Sequence, residues 1–115
     1  MIEQLHEMLA FAGPEAIRDI FQLYLADVPR RIDALQDALA HADAEGLRRA
    51  AHGLRGSSVS IGANKLAELC GALEEGTVEP KRQVAAILAE SAWVVELVNA
   101  EIARLENATP MASTG

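Results

Sequence analysis

The apolar residues of this chain recur every three or four positions along four long segments, which is the spacing of one helix face. The segments run from about Pro14 to Ala42, Ala44 to Ile61, Leu66 to Glu75 and Lys81 to Glu106. The connections between them are short, and short connections place consecutive helices side by side and antiparallel. The sequence therefore predicts an all-α fold, an antiparallel up-down-up-down four-helix bundle. A shorter apolar stripe between Ile2 and Ala12 predicts a short N-terminal helix that caps one end of the bundle.

Local signals mark the ends of these helices. Gly13-Pro14 predicts a break followed by a helix start, because proline suits the first helical turn. Asp43 is a good N-cap for the next helix. Gly62-Ala63 predicts a turn, and Gly76 predicts a C-cap.

Pro29 falls inside the first long helix and leaves two interpretations open. Proline removes the backbone hydrogen bond to the carbonyl of Leu25, which predicts a kink. Alternatively, Asp27 caps a new helix at this point. The apolar stripe keeps its phase across Pro29, and this favours one kinked helix.

Length and charge narrow the functional classes. The 115 residues predict one domain, residues 1–106, with a small and polar flexible C-terminal tail over residues 107–115. The net charge of −7 argues against nucleic acid and anionic membranes as partners. No apolar run approaches the about 18 residues of a membrane span, and no secretory signal is visible. The single cysteine, Cys70, lies on an apolar helix face, which predicts a buried packing role and a cytoplasmic protein.

The segment from Ala44 to Ile61 carries a histidine that is predicted to be exposed. At about 100° per residue, Ala51, Leu54, Ser58 and Ile61 all fall within about 40° of Leu47, so these five residues form the buried face. His52 falls about 140° from Leu47, on the opposite side. The helix is therefore predicted to bury small and aliphatic side chains and to present a histidine to solvent.

Two glycines inside the same helix need an explanation, since each costs about 1 kcal/mol relative to alanine. Gly53 follows His52 directly, and Gly56 lies one turn beyond His52 on the same face. One interpretation is that the glycines admit a neighbouring helix and that His52 is an ordinary surface residue. A second is that they clear the approach to a reactive histidine. A third, a metal ligand, is the least favoured because His6 and His41 share no helical spacing with His52.

The run from Ala51 to Glu74 resembles the signature of the histidine-containing phosphotransfer (HPt) domain family. The matching positions are His52, Leu54, Arg55, Gly56, Ser57, Ser58, Ile61, Gly62, Ala63, Leu66, Cys70, Leu73 and Glu74. The family usually has lysine three residues after the histidine. This chain has Arg55 at that position, which keeps the charge but replaces a point charge with a planar fork.

The resemblance implies that the chain is a phosphorelay intermediate in two-component signal transduction. His52 would accept a phosphoryl group from the phospho-aspartate of a receiver domain and pass it to an aspartate of a second receiver. An unperturbed imidazole, with a pKa of about 6.5, is largely neutral at cytoplasmic pH and can attack phosphorus. The chain contains no nucleotide-binding loop and no acidic metal cluster, so we expect no ATP-dependent kinase activity. We expect no cofactor of its own, with magnesium supplied by the receiver, and a monomer that acts alone or within a hybrid histidine kinase.

Supporting roles are expected for residues around the histidine. Arg55, together with Arg48 on the same side, would steady phosphate charge, whereas Arg49 is expected to pair with Glu45. Gly56 would leave room for the receiver's active-site loops. The remaining expected roles are apolar docking for Val59, a hydrogen bond or simply small size for Ser57, and packing for Ser58 and Cys70.

Other functional classes fit less well. A non-catalytic helical adaptor that docks receivers without phosphotransfer would share the fold, but it would not require His52. The dimerisation domains of histidine kinases usually have an acidic residue directly after the histidine and a proline soon after it. Here Gly53 follows, and no proline lies between Pro29 and Pro80. No plausible serine hydrolase triad occurs.

Overall fold

Four helices make up the part of the chain that the structure describes. The structure is a computed structural model, and it describes the backbone of residues 2–108 and the side chains of residues 13–107. The helices are α1 (Ile2–Ala40), α2 (Ala44–Ser60), α3 (Asn64–Glu75) and α4 (Pro80–Ala108). α1 packs against α2 and α4, and α3 also packs against α2 and α4, so the four helices close a ring. The predicted all-α four-helix bundle is confirmed.

α1 is interrupted at the predicted glycine and continuous through the second proline. Gly13 has a φ of 86° and a ψ of 166°, which breaks the helical geometry and confirms the expected break. Pro29 lies inside α1, so the prediction of one helix across this proline is confirmed and the alternative of a new helix capped by Asp27 is wrong. The side chains of residues 1–12 lie outside the described residues, and with them His6 and the expected capping of the bundle end.

Asp43 forms hydrogen bonds at both the end of α1 and the start of α2. Ala42 adopts a left-handed φ of 51°, and the Asp43 N–H then donates to the Ala38 carbonyl at 2.9 Å. This arrangement closes α1 at Ala40, two residues earlier than the apolar pattern predicts. The Asp43 carboxylate accepts the Gly46 N–H at 2.9 Å, which confirms the predicted N-cap of α2.

A glycine with a positive φ also lies in each of the other two connections. Gly62 has a φ of 73° in the turn between α2 and α3, and Gly76 caps α3 with a φ of 104°. α4 begins at Pro80, one residue before the predicted start, because proline is favoured in the first turn. α4 also extends to Ala108, so residues 107 and 108 are helical and not part of the expected tail. Residues 109–115 lie outside the described residues.

The predicted buried face of α2 is confirmed. Leu47, Ala51, Leu54, Ser58 and Ile61 are all buried between the helices. The Ser58 hydroxyl donates to the Leu54 carbonyl at 2.7 Å, so this polar side chain is hydrogen-bonded inside the core. Cys70 is buried, and burial raises the pKa of its thiol to about 12, which fits the predicted packing role. None of the helices within the described residues is both long enough and apolar enough to cross a membrane.

Candidate functional site

His52 lies in the middle of α2 and points away from the core. Its side chain is 76% exposed, although Ala51 and Leu54 on the other side of the helix are fully buried. The helical period that buries one face of α2 therefore brings the histidine to the surface.

Glu74 of α3 contacts the histidine from one side. The His52 Nδ1 lies 2.7 Å from Glu74 Oε1, and Arg55 Nη1 donates to Glu74 Oε2 at 3.0 Å. The hydrogen bond from Arg55, followed by the one from His52, lowers the pKa of the Glu74 carboxyl below its ordinary value. Glu74 is consequently a carboxylate at neutral pH, and one carboxylate holds both the imidazole and the guanidinium.

The contact with Glu74 determines which ring nitrogen of His52 has a free lone pair. A carboxylate can only accept hydrogen bonds, so Nδ1 carries the proton and donates it to Glu74. In the neutral imidazole the lone pair then lies on Nε2. Nε2 has no hydrogen-bond partner among the described residues, and it belongs to the exposed ring. The arrangement presents a nucleophilic nitrogen to solvent and fixes the orientation of the ring behind it.

Gly56 keeps the surface beside the histidine open. A Cβ atom built at Gly56 would meet no other atom within 4 Å, so no neighbouring helix needs this glycine for packing. Val59 lies about one turn further along α2 and is 57% exposed. The small residue and the exposed apolar residue leave the C-terminal side of His52 on α2 open to a partner.

Gly53 has a different neighbour. A Cβ atom at this position would lie closer than van der Waals contact to Nη1 of Arg31, which reaches over from α1. The expectation that the glycines let a neighbouring helix pack closely therefore holds at Gly53, where a side chain of α1 lies, and not at Gly56. Gly53 makes room for a guanidinium next to the histidine.

The arginines of α2 are paired differently from the sequence prediction. Arg48, not Arg49, donates to Glu45 at 2.5 Å, so the expected pairing of Glu45 with Arg49 is wrong. Three-residue spacing on a helix brings two side chains as close as four-residue spacing does, and here the Arg48 guanidinium takes the carboxylate. Arg49 forms no ion pair with any described side chain. Together with His52 it lines an open depression of about 530 Å³.

Ser57 faces away from the histidine. Its hydroxyl donates to Asp27 Oδ2 of α1 at 3.3 Å, in a partly buried position between α1 and α2. Asp27 also accepts hydrogen bonds from Arg30 and Arg31. Ser57 therefore links the two helices through its hydroxyl.

Three residues near the histidine were not expected from the sequence to take part in the site. Glu74 was part of the matched pattern, and its position in that pattern was the only signal for it. Arg49 shares the outward face of α2 with His52, so helical geometry alone could have identified it. Arg31 carried no sequence signal, because its position depends on how α1 packs against α2. Among the described residues, no group of three or more histidine, cysteine or acidic side chains is arranged to hold a metal ion.

Comparisons with known proteins agree with this fold. The family model described as Hpt domain matches residues 19–108. Histidine-containing phosphotransfer protein B (HptB) from Pseudomonas aeruginosa PAO1 has a similar structure, with a TM-score of 0.81 and 27% identity over 87% of this chain and 90% of that chain. The histidine-containing phosphotransfer domain of ArcB from Escherichia coli has the same fold, with a TM-score of 0.78 and 21% identity over 90% of this chain and 92% of that chain.

A curated relative is much longer than this chain. Sensor protein TorS from Escherichia coli (strain K12) is 32% identical over 74 residues, which is 64% of this chain and 8% of TorS. The chain thus corresponds to a small part of that sensor protein.

Proposed function

Because the chain belongs to the Hpt domain family, we propose that it is a phosphorelay intermediate that carries a phosphoryl group on Nε2 of His52. The phosphoryl group comes from the phospho-aspartate of a receiver domain and passes on to an aspartate of a second receiver. The observation that carries this proposal is the difference between the two nitrogens of the imidazole ring. Nδ1 is held by Glu74 at 2.7 Å, and Nε2 is exposed without a partner among the described residues.

The chemistry follows from these two nitrogens. The Nε2 lone pair attacks phosphorus, an N–P bond forms, and the O–P bond to the partner's aspartate breaks, leaving an aspartate carboxylate. The ring keeps its Nδ1 proton and becomes positively charged when the bond forms. The Glu74 carboxylate, already bonded to that proton, offsets the new charge. Transfer to the second receiver reverses the step, with an aspartate oxygen as the nucleophile and the neutral imidazole as the leaving group.

Arginines supply positive charge near the transferred phosphoryl group. Arg49 is exposed and unpaired among the described side chains, so it is the cation of α2 most available to phosphate oxygens. Arg55 is 51% exposed and shares Glu74 with the histidine. Arg48 is held by Glu45, and we assign it a smaller part. Gly56 and Val59 form the approach surface for the receiver.

The partner completes the site in this proposal. The receiver supplies magnesium and the groups that activate its own aspartate, and this chain contributes no kinase activity or cofactor of its own. Action as a monomer in the cytoplasm, alone or within a hybrid histidine kinase, stays a prediction.

The proposal is tested by phosphoryl transfer from a phosphorylated receiver domain. We expect the protein to take up label that is lost in acid and retained in alkali, as a phosphoramidate is. Nitrogen-15 NMR of the labelled protein should show the N–P coupling at Nε2 of His52. Binding of receivers without any label would favour an adaptor without phosphotransfer. A protein that neither binds a receiver nor takes label would contradict the proposed function.

Replacing Glu74 with glutamine should slow phosphoryl transfer by about ten-fold, which corresponds to about 1.4 kcal/mol in the barrier. The amide keeps the size of the side chain but removes the negative charge that offsets the imidazolium. Glu75→Gln is the matched control, because Glu75 is the next residue of α3 and is exposed without an ion pair among the described side chains. Rates are compared by rapid quench with one phosphorylated receiver. Equal rates for the two variants would show that the contact at Nδ1 does not assist transfer.

A further inference from the structure

The guanidinium beside Gly53 is held by Asp27, and Asp27 is in turn held by a residue of α2. Arg31 Nε donates to Asp27 Oδ2, and the Ser57 hydroxyl of α2 donates to the same oxygen at 3.3 Å. The Arg31 side chain is 29% exposed, so it is anchored between α1 and α2 and still reaches solvent. With Nε engaged, Nη1 is the part of Arg31 that lies over Gly53.

The charge of this arginine is not cancelled by its partner. Asp27 Oδ1 accepts from Arg30 at 2.5 Å, so two guanidinium groups share one carboxylate and leave a net charge of +1. Arg30 is 74% exposed and points into solvent, whereas Arg31 is turned toward α2. The excess positive charge therefore extends to the residue that follows His52.

The surroundings make this a local positive surface on an acidic protein. Five of the ten basic residues lie on the α1–α2 side of the bundle, and their ion-pair partners supply three carboxylates. These residues are Arg30, Arg31, Arg48, Arg49 and Arg55, with Asp27, Glu45 and Glu74. We call this group the arginine surface. Its net charge is +2, whereas the whole chain carries −7.

We propose that Arg31, positioned by Asp27 and given room by Gly53, is a docking residue for the acidic surface around the partner's phospho-aspartate. The inference rests on the proposed function, because a receiver that holds magnesium and a phosphorylated aspartate presents carboxylates and phosphate oxygens at its active site. Arg31 acts on association with the partner and does not touch the reacting atoms. It reaches from α1 over the residue that follows His52, whereas Glu74 of α3 contacts His52 itself.

Arg31→Gln is the first test, with Arg30→Gln as the matched control. Both variants remove one arginine bonded to Asp27, but only Arg31 lies over Gly53. We expect Arg31→Gln to raise KM for a phosphorylated receiver about five-fold with little change in kcat, and to weaken the dependence of KM on salt. Arg30→Gln should change KM by less than about two-fold.

Gly53→Ala tests the same inference without removing a charge. The added Cβ must displace the flexible end of Arg31, so KM should rise about as much as in Arg31→Gln. The Tm should be equal to wild type or higher, since alanine is the better helix former. The double variant Gly53→Ala/Arg31→Gln should have the same KM as Arg31→Gln alone.

A small phosphoryl donor separates this inference from the proposed function. Phosphoramidate needs no docking surface. The variants Arg31→Gln, Arg30→Gln and Gly53→Ala should therefore all be labelled on His52 at the wild-type rate. An unchanged KM in Arg31→Gln, or an equal effect of Gly53→Ala with and without Arg31, would overturn the docking role and leave the relay intact. If wild type is labelled by phosphoramidate but by no receiver, the proposed function fails, and the docking role fails with it.

Discussion

Replacement of His52 by glutamine is expected to abolish uptake of a phosphoryl group from receivers and from phosphoramidate alike. Glutamine has no nitrogen lone pair able to attack phosphorus, so the loss should reach the background of the assay. The substitution should change the free energy of unfolding by no more than about 0.5 kcal/mol, because the side chain is 76% exposed and outside the core. Radiolabel transfer and a urea melt on the same preparation measure both quantities.

His41→Gln is the matched control for this variant. His41 is also exposed, and it lies just after the end of α1, where its Nδ1 contacts the Asp37 carbonyl at 2.8 Å. It is not one of the residues of the arginine surface, and we expect normal labelling. Labelling of His52→Gln with wild-type stability in acid and alkali would place the phosphoryl group on another residue and contradict the assigned site.

Phe21→Ala is expected to cause the largest loss of stability of any single truncation among the described side chains of α1. Phe21 is completely buried between the helices, and truncating a buried phenylalanine to alanine costs about 3–5 kcal/mol through lost transfer energy and a new cavity. For a domain of this size that loss lowers Tm by on the order of 15 °C. Chemical denaturation followed by circular dichroism gives the free energy of unfolding.

Leu23→Ala provides the comparison, because Leu23 lies two residues away on the same helix and is 71% exposed. We expect a change of no more than about 0.5 kcal/mol, since alanine loses little burial there and is a good helix former. A similar loss in the two variants would mean that α1 does not bury the face that the structure assigns to it. At temperatures where Phe21→Ala is folded, labelling of His52 should be normal.

Helix geometry made most of the fold predictable from the sequence. The buried face of α2, from Leu47 to Ile61, follows from the 3.6-residue period, and the structure buries every residue of it. Asp43 and Gly76 mark helix ends because their backbone and side-chain preferences act locally. The end of α1 was missed by two residues because Ala42 adopts a left-handed conformation that alanine rarely takes.

The contacts between helices at the site could not be predicted from the sequence of any one helix. The exposed position of His52 follows from its own helix, but the hydrogen bond to Glu74 joins residues 22 positions apart. Arg31 meets Gly53 only because α1 and α2 pack with a particular register. The choice of Arg48 over Arg49 as the partner of Glu45 depends on side-chain rotamers, which spacing alone does not determine.

The order of helix packing also bears on how quickly the chain folds. Three of the four helix pairs in the ring, α1–α2, α2–α3 and α3–α4, join neighbours in the chain, and only the α1–α4 pair closes a long loop. Contacts between sequence neighbours keep the relative contact order low, and helical proteins of low contact order fold in microseconds to milliseconds. We therefore expect the α1–α2 unit, which holds His52 and Arg31, to assemble early and the closure by α4 to come late. A domain that refolds this quickly can re-form the site around His52 soon after a local opening.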